Sequence, residues 1–160
     1  PAIREVLGPS ARPVGRRMAW PIPARVGSSA LDHGPVLFAG DAAAVTDALT
    51  GEGIGQALLT GILAAEASLA GGGQDRVAAR YRRRVLGDLR ADHRMSVALQ
   101  RILARRIGAD GAVRLAGVSP WTRRNFARWM FEDYPRAMVA TPRRWSRGAL
   151  STPGAYRDGG

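Results

Sequence analysis

The feature that most constrains this chain is the run over residues 36–69, VLFAGDAAAVTDALTGEGIGQALLTGILAAEASL. It passes from a short apolar stretch through an aspartate and a glycine-rich turn into a long helix of small residues. Val36, Leu37, Phe38 and Ala39 stand between Gly34-Pro35 and Gly40, as expected of a strand buried on both faces. Asp41 follows at the strand's carboxyl end, where open α/β sheets bind ligands. An ionised carboxylate there accepts hydrogen bonds from polyol hydroxyls; in the plainer reading it is a turn or N-cap residue.

Thr50-Gly51-Glu52-Gly53-Ile54-Gly55 sets three glycines at alternate positions ahead of a run of helix formers. Glycine lets the backbone approach a ligand closely and adopt positive φ. A helix over about residues 53–70 aims its free N–H groups and positive dipole end back at this loop. A phosphate, or a carbonyl oxygen gaining electron density, is stabilised at such a place. The dinucleotide fingerprint G-x-G-x-x-G does not fit, since position 56 is Gln and ten residues separate Ala39 from the turn. Glu52, the acid of the loop, reads as a charge partner of the helix N-terminus rather than as a proton relay.

GDAAAVTDALTGEGIGQALLTGILAAEA resembles the second flavin-binding motif of the geranylgeranyl reductase family, within the p-hydroxybenzoate-hydroxylase-like FAD enzymes. Gly40, Asp41, Ala42 and Ala43 match its opening, and Asp47, Leu49, Thr50, Gly51, Glu52, Gly53 and Ile54 its second part. Ala44 stands where that family usually has Gly, and Ala48 where it usually has Pro. The resemblance implies that Asp41 binds the ribityl chain of FAD. It also implies that backbone N–H groups near Gly53 and Ile54 face the pyrimidine edge of the isoalloxazine. The cofactor-binding set is therefore Gly40, Asp41, Thr50, Gly51, Glu52, Gly53 and Ile54; no catalytic residue is assigned.

The fold expectation is an α/β fragment: the C-terminal part of an FAD-binding, Rossmann-like domain followed by a mainly α-helical segment. Residues 1–70 hold the flavin-domain part with the end of a substrate-domain strand, 71–140 a helical region, and 141–160 a flexible tail. The unit that binds the ADP half of FAD is expected in a longer chain, and the isolated segment is expected to be inactive. The implied activity is reduction of isoprenoid C=C bonds by hydride from reduced flavin, with NAD(P)H or another reductant upstream. The alternative of the same fold is an FAD-dependent monooxygenase.

Around the motif, residues 14–22, VGRRMAWPI, read as a strand entering a turn; Trp20 reads as a core anchor, while the resemblance implies that Trp20 and Pro21 lie near the flavin ring or the substrate channel. Val77, Tyr81, Val85 and Leu89 recur at four-residue steps, predicting one long helix or two over residues 74–107, with Gly87 an interruption. Ser119-Pro120 reads as N-cap and first residue of a helix carrying Trp121, Phe126, Trp129, Met130 and Phe131. That aromatic side suits core packing, or contact with an isoprenoid.

Charge is split along the chain. Residues 1–70 hold five arginines against six acids, and residues 71–160 nineteen arginines against seven acids, with no lysine anywhere. A basic half attracts nucleic acid or an anionic membrane surface. The sparse aromatics and the absence of RNA-binding or zinc-finger patterns weigh against nucleic acid. There is no cysteine, and His33 and His93 lack metal-ligand spacing, so no metal site is expected. No apolar run reaches membrane-spanning length. The expected setting is cytoplasmic, with a small-molecule substrate of isoprenoid or lipid type and peripheral membrane contact left open. The alternative from another class is a non-enzymatic basic helical module that binds membrane or nucleic acid.

Overall fold

The computed structural model describes residues 2–12, 14–16, 18–131 and 137 of the chain, residues 2–4 and 131 by backbone alone. In chain order they form α1 (Ala2–Leu7), β1 (Asp32–His33), β2 (Val36–Leu37), a 3₁₀ turn (Gly40–Ala43), α2 (Ile54–Leu69), α3 (Gln74–Leu103), α4 (Arg106–Gly117) and α5 (Pro120–Phe131).

This corrects the Rossmann-like expectation. Among the described residues the only sheet is an antiparallel ribbon in which Asp32 faces Leu37 and His33 faces Val36; no parallel sheet is present. Gly34 takes φ 55°, so the Gly34-Pro35 step folds the chain straight back and β2 pairs with its own upstream neighbour. The Phe38 N–H donates to the Leu31 carbonyl at 2.9 Å, extending the ribbon. Val36 is half exposed. The apolar run is thus one arm of a hairpin rather than a strand buried on both faces. The fold is mostly helical.

The core lies where α2 and α3 fold against each other and against the ribbon. Leu63 and Ala67 of α2 meet Tyr81, Val85 and Leu89 of α3, with Val26, Leu31, Ala43 and Val45 closing the far side. Gly71 (φ 64°) and Gly72 (φ 100°) reverse the chain between the two helices, conformations that side chains disfavour. Arg80 donates to the Ala67 carbonyl at 2.8 Å and the Gly71 carbonyl at 3.2 Å, satisfying acceptors that the end of α2 leaves free. Arg82 pairs with Asp32 at 3.2 Å and Arg84 with Glu66 at 3.3 Å. Much of the arginine cluster at the start of α3 therefore ties α3 to its neighbours.

Three local expectations differ from the structure. α3 runs through Gly87 without interruption, because one glycine costs only about 1 kcal/mol in a helix interior. Residues 14–22 contain no strand among those described; the extended pairing here is a single bridge between Ala24 and Val45. Pro21 and Pro23 lack the N–H groups that a ladder needs. Trp20 is 87% exposed, so it does not anchor the core. α5 begins at Pro120, and the Ser119 hydroxyl accepts from the Thr122 N–H at 3.0 Å. Residues 141–160 lie outside the described residues.

Candidate functional site

The loop over residues 40–54 is fixed from its buried side. The Gly40 N–H donates to the Thr60 hydroxyl at 3.0 Å, and that hydroxyl lies 2.7 Å from the Gln56 carbonyl one turn earlier in α2. Tyr81 of α3 donates its phenol to the Phe38 carbonyl. Burial raises the Tyr81 phenol above its ordinary pKa, a hydrogen bond with Thr60 opposing. The backbone on either side of Ala39 is thereby clamped to both core helices. Gly40 has a packing reason as well: φ is 56°, and a Cβ would lie 3.1 Å from the Ala57 Cβ.

Downstream of this anchor the 3₁₀ turn exposes Asp41 and buries Ala43. Ala44 adopts φ 55°, the one non-glycine residue with positive φ among those described. A left-handed conformation is disfavoured for a residue with a Cβ. The Arg25 N–H donates to the Ala44 carbonyl at 2.9 Å, holding the turn from the opposite side.

The second half of the loop is organised by Asp47. Its carboxylate accepts from the Thr50 N–H at 2.9 Å and from the Thr50 hydroxyl at 2.6 Å, an Asx-type turn. The Asp47 N–H donates to the Glu52 carbonyl at 2.8 Å, and the Gly51 N–H to the Asp47 carbonyl at 2.9 Å. Gly51 needs its glycine, with φ at 73°. Thr50 thus shapes the loop through Asp47, and the Glu52 side chain is exposed.

The two halves converge. Gly53 is the N-cap residue of α2 and no side chain caps the helix there. A Cβ on Gly53 would lie 3.2 Å from the Thr46 hydroxyl and 3.7 Å from Asp41 Oδ1. Thr46 donates to that same Oδ1 at 3.1 Å. The Asp41 carboxylate and the N-terminus of α2 therefore lie side by side on one exposed surface, with the Ile54 side chain 75% exposed beside them. Within the first turn of α2, Gln56 Oε1 is buried without a partner. Of the residues singled out from sequence, Asp41, Gly53 and Ile54 meet at this surface, while Gly40, Thr50 and Gly51 build its frame.

Sequence reasoning set His93 aside, and the structure places it in the neighbourhood of the loop. His93 Nδ1 is buried without a partner. Burial pushes the imidazole below its ordinary pKa, with the Asp47 charge opposing. Next to Asp47 an open cavity of about 600 Å³ is lined by Pro21, Ile22, Arg25, Thr46, Val97 and Gln100 among others. The Asp-x-x-Thr spacing of residues 47–50 is the sequence signal that identifies the Asx-type turn; no local signal brings His93 to it. Among the described residues there is no cluster of three or more metal-ligating side chains.

No protein-family profile matches this sequence, and neither a characterised protein nor a solved structure matches it.

Proposed function

We propose that the loop over residues 40–54 and the N-terminus of α2 hold the flavin end of FAD, and that the chain serves an FAD-dependent oxidoreductase. The observation that carries this reading is the convergence of Asp41 and Gly53. An acceptor for hydroxyls sits directly beside uncapped helix N–H donors, which is the polarity required by a ribityl chain next to a pyrimidine carbonyl edge. Asp41 Oδ1 is engaged by Thr46, leaving Oδ2 to accept from a ribityl hydroxyl. Any side chain at 53 would crowd Thr46 and push between Asp41 and the helix end, so glycine keeps the two contiguous. The helix dipole stabilises negative charge arriving at its N-terminus.

When bound, the cofactor supplies the hydride chemistry. The residues of this chain orient it and place positive potential at one edge. The substrate class in keeping with the resemblance is an isoprenoid alkene, reduced across C=C, with NAD(P)H or another donor as the source of electrons. The apolar and polar walls of the cavity beside Asp47 suit a small amphipathic substrate.

The test is an FMN titration of the 160-residue chain, labelled with nitrogen-15 and followed by amide NMR. ADP is the control for phosphate binding to the arginines. FMN should move the Gly53, Ile54 and Gly55 amides, ADP should not, and Asp41→Ala should weaken FMN at least tenfold. Identical responses to FMN and ADP, or none at Gly53 and Ile54 at millimolar FMN, would remove the proposal.

A further inference from the structure

We propose that the edge formed by the end of α3, by α4 and by the start of α5 docks on an anionic lipid bilayer. α4 contributes no buried residue, yet it is rich in large apolar side chains. Ile107 is 88% exposed and Val118, just past its end, 72%; Leu115 and Val113 are exposed as well. Positions 107, 111, 115 and 118 follow one another at four-, four- and three-residue steps, and 114 lies three residues past 111 and four before 118, which places Ile107, Arg114, Leu115 and Val118 along one side of the helix. Trp121 of α5 is also exposed, and tryptophan favours the headgroup level of a bilayer.

The charge is complementary to such a surface. Residues 101–131 hold seven arginines, of which Arg128 is buried, and a single acid, Asp110. Arg106 reaches Asp110 only at 3.9 Å, and no carboxylate pairs with Arg101 or Arg105 among the described residues. These three arginines, with Ile102, Ile107 and Gly108, line an open hollow of about 610 Å³ at the junction of α3 and α4. Cationic and apolar groups side by side match a phospholipid's anionic headgroup and the first methylenes beneath it. A nucleic acid duplex satisfies the arginines but gives Ile107, Leu115 and Val118 nothing to bury against. No helix among the described residues is long and apolar enough to cross a membrane, so the contact is peripheral.

The experiment is co-sedimentation of the 160-residue chain with vesicles of pure phosphatidylglycerol and of pure phosphatidylcholine. A labelled DNA duplex is titrated in parallel, and circular dichroism checks the fold of each variant. The chain should sediment with phosphatidylglycerol and not with phosphatidylcholine. Arg101→Gln and Arg105→Gln should each weaken binding about fivefold, and Leu115→Ser about tenfold. Leu115→Trp keeps the face apolar, so it should bind at least as well, with emission shifted to the blue on the vesicles. Absence of sedimentation with phosphatidylglycerol overturns the proposal. Affinity unchanged by Leu115→Ser, or DNA bound more tightly than the vesicles, overturns it too.

Discussion

Replacing Thr60 by Val tests the anchor on which the candidate site depends. The two side chains have nearly the same shape and similar helix propensity, so packing and backbone terms almost cancel. What changes is hydrogen bonding at a side chain with no solvent exposure. The Gly40 N–H, which donates to the Thr60 hydroxyl at 3.0 Å, is left buried without an acceptor. The Gln56 carbonyl also loses a partner, but it remains within the helix ladder, so this loss counts for little. Orphaning a buried amide costs about 1–3 kcal/mol. At about 4 °C per kcal/mol, the melting temperature should fall by roughly 4–12 °C. Urea denaturation followed by circular dichroism gives the free energy, and hydrogen exchange at the Gly40 amide gives the local effect. Thr60→Ser keeps the hydroxyl and loses one methyl, about 1 kcal/mol, and should retain Gly40 protection. If Thr60→Val lies within 0.5 kcal/mol of wild type, a margin typical of neutral surface changes, or if the Ser variant is the worse of the two, the clamp is not what holds the loop.

Two further outcomes follow from the geometry. His93 is held below its ordinary pKa by burial, so the unfolded chain binds the proton more readily; stability is fully present above the unfolded pKa of about 6.5 and is lost as pH falls through the folded value. His93→Gln should therefore flatten the acid side of a melting-temperature profile below neutral pH, and an unaltered slope would contradict the burial argument. At the junction of α3 and α4, a Cβ on Gly108 would run into the Ile102 carbonyl and lie 2.9 Å from Ile102 Cγ2. Gly108→Ala should cost about 1–3 kcal/mol by overpacking and change vesicle binding through the altered hollow. A melting temperature equal to wild type would show that the junction yields freely.

What could be read from the sequence depended on the range of the interaction responsible. The start of α2 at Ile54 and the Ser119 cap of α5 rest on contacts within one helical turn, and both were legible. The ribbon was not. Four apolar residues between glycine-containing steps fit a buried parallel strand and a hairpin arm equally well, and only the pairing of Leu37 with Asp32 decides between them. The Gly34-Pro35 step marks a boundary in sequence whether the chain runs on or folds back there. Trp20 is exposed although a large aromatic residue is usually buried, because Pro21 and Pro23, which follow it, keep this stretch out of a ladder. His93 carries no local signal: its environment is set first by burial and then by the charge of Asp47, far away in the chain, and tertiary packing alone supplies both.

The same packing accounts for the shape of the loop. Gly40, Ala44 and Gly51 all have positive φ, and the alanine among them bears a penalty of about 1–2 kcal/mol for that conformation. It persists because its surroundings over-determine it: Ala44 is 4% exposed and Val45 2%, Val45 bridges to Ala24, and Arg25 holds the Ala44 carbonyl. Strain of this kind is a reason to look for function rather than evidence of one. Its direction is informative here. Thr60 and Val45 fix the loop from the core side, Asp47 braces it from within and Arg25 from the opposite side, while Asp41 and Ile54 at the start of α2 are exposed. A ligand arriving at that face meets donors and an acceptor already in place, so little ordering is left to oppose binding. On the proposed flavin reading, loosening the buried clamp at Thr60 should weaken FMN binding at Asp41 and Gly53, although Thr60 itself is fully buried; an unchanged FMN affinity in Thr60→Val would separate the clamp from the proposed site.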